Sequence, residues 1–162
     1  MRTIQLLVLV AALGCGGAAK PAATPAGPIE PAARTLVNVD ERGVGLGGHD
    51  PVAYVTDNAP VAGVTEHASQ HAGASYQFAT AEHKATFEAA RNKHAPQYGG
   101  YCAFAASQNR LSPSDPKVFL VMDGQLLVFT NQDFLDQFNK DPAGNKAKAD
   151  QHWPGLVAEH GK

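Results

Sequence analysis

The residues of this chain best suited to chemistry are one cysteine and three histidines. Cys102 lies within residues 94–107, a run rich in glycine, alanine and aromatic side chains. Thiolate and imidazole groups are ligands that suit Cu(I) and Zn(II). The sequence could therefore form a copper or zinc site from Cys102, His83, His94 and His49. No two of these residues have the close spacing of a metal-binding motif, so only the fold could bring them together.

Cys102 also has two interpretations that need no metal. In a turn rich in alanine and phenylalanine, a cysteine is often a small buried hydrophobic residue. Gly99-Gly100, just before it, would instead place the thiol near a helix N-terminus, where the reactive thiolate is favoured. An enzyme would further need a base and an oxyanion hole, and nothing in the sequence places His94 or an orienting acid beside the thiol. We therefore expect a protein that is not an enzyme; the alternatives are a thiol-dependent enzyme and a protein-interaction module without a site.

A set of aromatic residues could line a pocket for a small ligand or fill a small core. Aromatic side chains serve both purposes, because they bury large apolar areas and carry few polar atoms. The set consists of Tyr76, Phe78, Phe87, Tyr98, Tyr101, Phe104 and Trp153.

The remaining histidines are expected at the surface. His67 and His71 would share one face of a strand, because their separation is even. At about 3.4 Å per residue they lie too far apart along a strand to bind one metal together. His152 and His160, near the C-terminal end of the sequence, are expected to be exposed to solvent.

The N-terminus has the pattern of an export signal. Arg2 precedes the apolar run 4–12, which is shorter than the roughly 20 apolar residues of a membrane span. The run ends in Ala12-Leu13-Gly14-Cys15, which resembles the lipobox of bacterial lipoproteins. That resemblance implies that Cys15 becomes the lipid-modified first residue of the mature chain; ordinary secretion with cleavage nearby is the alternative. We expect an exported protein of the bacterial cell envelope whose N-terminal lipid anchors it to the membrane.

Composition divides the chain into a signal, a tether and one domain. After the signal, residues 1–15, the stretch 16–34 consists mostly of proline, alanine and glycine, which predicts a disordered tether. Residues 35–158 have the length of a single domain. The net charge is −2 and the signs are interspersed, so we expect no nucleic-acid binding. The sequence identifies no protein partner.

Hydrophobic alternation and turn residues predict an α+β fold. One β-hairpin turns at Ala72-Gly73, and a second joins residues 118–122 to 125–129 through Asp123-Gly124, the preferred two-residue hairpin turn. Helices are predicted after the N-caps Asp50, Thr80 and Asn131, over residues 101–106, and over residues 143–150, before Trp153-Pro154. The expected architecture is a small antiparallel sheet from two β-hairpins, covered by several short helices.

Several separated motifs, in order, resemble the YHS-domain proteins, and more closely their exported, lipoprotein-like branch. The similarity spans roughly residues 40–156, nearly the whole predicted domain. It implies a small α+β domain of uncertain biochemical role, with metal binding suspected through related heavy-metal-handling domains. The motifs are Gly48-His49-Asp50-Pro51-Val52-Ala53-Tyr54, Gly73-Ala74-Ser75-Tyr76-Gln77-Phe78-Ala79-Thr80, Tyr98-Gly99-Gly100-Tyr101-Cys102-Ala103 and Ala149-Asp150-Gln151-His152-Trp153-Pro154.

This chain departs from the metal-handling relatives at the positions that matter most for metal. Those relatives carry Phe-Cys-Ser and a second cysteine four residues after the first. Here the first thiol is replaced by Ala79 and the second by His83. This departure removes the two-cysteine site. With Cys102 and the histidines as the candidate ligands instead, we expect an envelope-anchored, non-enzymatic YHS-like domain that binds a metal ion, copper or zinc, or a small ligand.

Overall fold

The computed structural model describes residues 34–162, so the predicted signal, Cys15 and all but the last residue of the predicted tether lie outside the described residues. The described part folds into two antiparallel sheets of two strands each and six α-helices, which confirms the α+β fold class. In chain order the elements are α1 (Pro51–Thr56), β1 (Val64–His71), β2 (Ala74–Phe78), α2 (Ala81–Ala89), α3 (Arg91–His94), α4 (Ala103–Ser107), β3 (Asp115–Met122), β4 (Gln125–Phe129), α5 (Gln132–Phe138) and α6 (Pro142–His160). Short 3-10 turns lie at Leu46–Gly48 and Gln97–Gly100.

Both predicted hairpins form, and each makes its own two-stranded sheet. In the first, His71 pairs with Ala74 across the turn, and in the second Met122 pairs with Gln125. Asp123 and Gly124 both have positive φ, at 53° and 72°. A two-residue turn of this kind matches the twist of the strands that it joins.

Strand β4 separates two hydrophobic clusters. Leu127 and Phe129 belong to the cluster formed with α4, α5 and α6. Leu126 and Val128 belong to the cluster formed with α1, β2 and α2. Successive residues of a strand point to opposite faces, so this one strand is buried on both sides and holds the two clusters together.

Helix α6 is longer than the sequence predicted, which corrects the expected helix over residues 143–150. It runs from Pro142 to His160, with Pro154 inside it. A proline at this position removes one backbone hydrogen bond and crowds the preceding turn. The helix nevertheless continues, because Leu156, beyond the proline, is buried in the cluster with α4 and α5.

The structure of α6 also corrects the prediction that His152 is exposed to solvent. His152 is half-buried, and its Nδ1 donates to the Ala106 carbonyl at 3.3 Å. His160 is exposed, as the sequence indicated.

Within residues 34–162, no helix has the length and apolar composition that crossing a membrane requires.

The two ends of the described chain are joined by backbone hydrogen bonds. Thr35 and Lys162 exchange two hydrogen bonds, in which the amide of each donates to the carbonyl of the other, at 3.0 and 2.9 Å. Further along, the Asn38 amide donates to the Gly99 carbonyl at 2.8 Å. Residues 35–38 therefore lie as an extended segment across the 3-10 turn that precedes Cys102.

Candidate functional site

Asp50 is a buried carboxylate that joins three elements. It is the N-cap of α1: its Oδ1 accepts from the Val52 amide at 2.9 Å and the Ala53 amide at 3.3 Å. Its Oδ2 accepts from the Ala79 amide at 2.8 Å and from His83 Nδ1 at 2.7 Å. The carboxylate is fully buried. Four donors thus satisfy it and connect the start of α1 to the end of β2 and the first turn of α2.

His83 is the predicted metal ligand whose orientation is best defined. Because a carboxylate oxygen can only accept, Nδ1 carries the proton and Nε2 is the acceptor nitrogen of the neutral ring. The side chain is 21% exposed. A carboxylate that holds a histidine in this way is the usual outer partner of a metal-ligating imidazole. Ala79 and His83, the residues at which the sequence departs from a two-cysteine metal site, therefore converge on Asp50.

The other three predicted ligands lie in different surroundings. His49 Nδ1 donates to the Leu46 carbonyl at 3.0 Å. His94 is only 8% exposed, and within the described residues its Nδ1 has no hydrogen-bond partner. Burial, and secondarily the charge of Lys93, lower the pKa of His94. Residues 34–162 contain no group of three or more His, Cys, Asp or Glu side chains that could hold a metal ion.

Cys102 is part of a hydrophobic cluster. The residue is fully buried and belongs, with Phe129 and Phe138, to the cluster formed with α4, α5 and α6. It is the N-cap residue of the five-residue helix α4, but its side chain makes no capping bond. Its backbone amide donates to the Ser112 carbonyl at 3.0 Å. The surroundings are those of a packed hydrophobic residue.

A cleft of about 370 Å³ is lined by residues from three of the sequence motifs. Its walls are the segment 34–37, the β1–β2 turn, residues 95–99 and one face of α6. On α6, Asp150, Trp153 and Val157 line the cleft, and their spacing of three and four places them on the same helix face. The volume is at the small end of the roughly 300–1,000 Å³ of ligand pockets.

Tyr98, Asp150 and Trp153 form the polar and aromatic corner of this cleft. The Tyr98 hydroxyl donates to Asp150 Oδ1 at 2.8 Å, and burial, with this bond, raises the pKa of Tyr98. Lys146 Nζ donates to both oxygens of Asp150, at 3.2 and 2.9 Å. The rings of Tyr98 and Trp153 meet edge to face, with centroids 5.7 Å apart. The tyrosine backbone has φ of 52°, a left-handed conformation that a non-glycine residue adopts at a cost.

Gly99 allows the wall of the cleft to form. Its φ is +55°, and a Cβ at this position would collide with the Leu36 carbonyl oxygen. No other residue type could let the segment 35–38 cross this close. Of the two glycines before Cys102, Gly99 thus serves the backbone crossing.

His71 corrects the expectation of a surface histidine. It is half-buried, lines the cleft, and its ring meets Phe87 at a centroid distance of 5.9 Å. Burial, followed by the charge of Arg91, lowers its pKa. The ring therefore contributes to the cleft as a neutral group near pH 7.

The aromatic set divides between the cleft and the core. Tyr76, Tyr98 and Trp153 line the cleft, whereas Phe78 and Phe87 are fully buried. The remaining two each pack on a ring: Phe104 on Phe134, at 5.5 Å, and Tyr101 on Trp153, at 6.4 Å.

The sequence missed the roles of Asp150 and of the segment 35–37. Asp150 was already part of one of the sequence motifs, but nothing local indicated that it bonds to a tyrosine 52 positions earlier.

Comparisons with protein-family models, curated proteins and solved structures found no match for this chain.

Proposed function

We propose that residues 35–158 are a non-enzymatic, YHS-like domain of the bacterial cell envelope that binds a small organic ligand. The observation that supports this most directly is the cleft, whose lining brings Tyr98, Asp150 and Trp153 together. Ligand sites combine aromatic walls with a few placed polar groups. The cleft has this composition, and it brings together residues of three motifs that lie far apart in the sequence.

The alternatives have less support. The four predicted metal ligands do not form a group that could hold copper or zinc, since no such group of three occurs in residues 34–162. A thiol-dependent enzyme would need a substrate to reach Cys102, which is fully buried. A protein-interaction module without a site does not account for the cleft.

Trp153 provides a direct test because it is the only tryptophan in the chain. Its fluorescence can be followed while the full chain is titrated with small uncharged, cationic, anionic and aromatic compounds. We expect at least one class to change the emission saturably. A fully flat response from a folded protein would refute a ligand site at Trp153.

A pair of variants localises the binding. Val157→Phe places a ring in the cleft, whereas Gln151→Phe places the same ring on the exposed face of α6. We expect Val157→Phe to abolish binding and Gln151→Phe to retain it. Equal binding by two folded variants would place the site elsewhere and contradict the proposal.

The envelope location rests on Cys15. Because a lipid at this residue would be the membrane anchor, we expect Cys15→Ala to move the protein from the membrane fraction of cells to the soluble fraction. A wild-type protein that is already soluble would refute lipid anchoring and leave the ligand site unaffected.

A further inference from the structure

The charged side chains that line the cleft, Arg34 and Asp150, are opposite in sign, so the lining has no net charge to attract a charged ligand. A cation would meet the guanidinium of Arg34 at the rim, where Nη1 donates to the Ala158 carbonyl at 2.7 Å. The Asp150 carboxylate would not offset this, because both of its oxygens already accept from Lys146. An anion would be attracted by Arg34, but it would have to lose its hydration for a guanidinium that already donates to a backbone carbonyl. An uncharged ligand avoids the cost of desolvating a charge.

Neutral polar side chains in the lining are available to a ligand. Thr35, Asn92 and Gln97 line the cleft, and none of their side chains takes part in a hydrogen bond within residues 34–162. An amide both donates and accepts, and so does a hydroxyl group. A ligand that carries several hydroxyl groups could use all three without bringing a charge.

The aromatic walls favour a ring that is not flat. The Tyr98 and Trp153 rings meet at 67°, so they form a corner rather than two parallel plates. A flat heterocycle gains most from stacking between parallel faces. A puckered ring can instead lay one apolar C–H face on Trp153 and direct its hydroxyl groups to the amide side chains that also line the cleft.

From these observations we infer that the ligand is an uncharged, hydroxylated ring of the saccharide class, with one or two pyranose units in contact with Trp153. The inference rests on the proposed function, because it assigns the ligand class of that cleft. Trp153 and Tyr98 supply the apolar surface, and Asn92 and Gln97 supply hydrogen bonds to hydroxyl groups.

The single indole N–H resonance of the full chain reports on Trp153 in an NMR titration. The probes are glucose and N-acetylglucosamine as neutral rings, glucosamine and glucuronate as charged rings of the same shape, and benzamide as a flat neutral compound. We expect the neutral sugars to shift the resonance saturably and to bind more tightly than the charged rings and benzamide.

Two amide variants and a matched control complete the test. Asn92→Ala and Gln97→Ala should each weaken the binding of the neutral sugar by about two- to tenfold, the loss of one hydrogen bond. Gln151→Ala removes the same amide group from the exposed face of α6 and should leave the affinity unchanged. Both lining residues are exposed or half-exposed, so these variants should fold.

The outcomes separate the two proposals. Tighter binding of benzamide or of a charged ring at Trp153 would overturn the saccharide class but support the ligand site. Sugar binding that neither Asn92→Ala nor Gln97→Ala weakens would also overturn the saccharide inference. No response to any probe, including those of the wider fluorescence titration, would overturn both.

Discussion

Replacement of Asp50 by alanine should cost a large part of the stability of this fold. The change removes a fully buried carboxylate and leaves the donors of Val52, Ala53, Ala79 and His83 without their acceptor. Each buried donor left unsatisfied costs about 1–3 kcal/mol, and a lost N-cap costs about 0.5–2 kcal/mol. Because water can enter part of the space, we expect about 3–5 kcal/mol in total, as for other broken buried networks.

The single change His83→Ala should cost less. It removes one hydrogen bond to a charged group, worth about 1.5–3 kcal/mol, and the ring is partly exposed. The double variant should therefore cost less than the sum of the two single changes, because both remove the same contact. Asp57→Ala is the matched control: this aspartate lies at the other end of α1 and is exposed. Its effect should be within about 0.5 kcal/mol.

Urea denaturation followed by circular dichroism measures these differences, provided that the slope of unfolding free energy against urea is unchanged. Typical domains have only about 5–15 kcal/mol of stability, so Asp50→Ala should shift the midpoint visibly or unfold the chain. A loss below about 1 kcal/mol, or perfect additivity with His83→Ala, would refute the assigned role of this carboxylate.

Three further predictions test other parts of the structure. Gly99→Ala should destabilise the protein by more than about 2 kcal/mol, because the backbone is left-handed and the added methyl group would collide with Leu36. Gly124→Ala is the control: its φ is also positive but the space around it is open, so it should cost about 1 kcal/mol. Equal urea midpoints for the two variants would contradict the close crossing of residues 35–38 over Gly99. The lowered pKa of His94 means that the unfolded state binds its proton first as the pH falls below the ordinary value of 6.5, so stability should decrease from pH 7.5 to 5.5. His94→Leu should reduce that decrease, and an identical pH slope in the variant would exclude His94 as its source. Cys102 should resist alkylation until urea unfolds the protein; peptide mass mapping after brief iodoacetamide treatment would reveal labelling of the native state, which would contradict its burial.

Local signals in the sequence predicted local structure well. Asp123-Gly124 predicted the second hairpin because two adjacent positions of positive φ need these residue types. The N-caps Asp50, Thr80 and Asn131 each accept an amide hydrogen bond at the start of the predicted helix. These features depend on neighbours within a few positions.

Contacts between distant residues could not be predicted in this way. The bond from Tyr98 to Asp150 and the approach of Leu36 to Gly99 depend on how separate segments cross. The continuation of α6 past Pro154 likewise depends on tertiary burial, which outweighed a strong local signal. Residue type and a sequence resemblance indicated the metal ligands but gave no distances between them, and the fold gives each of them a different environment.

Strand β4 contributes alternate residues to both hydrophobic clusters. Unfolding of either cluster would therefore displace β4 and remove buried contacts from the other cluster. We therefore expect the described residues to unfold as one cooperative unit rather than as two independent ones. Loosening one side, for example by truncating Phe129, should therefore speed hydrogen exchange of amides around Phe78 on the other side. A ligand held against α6 would, by the same coupling, slow exchange as far away as α1.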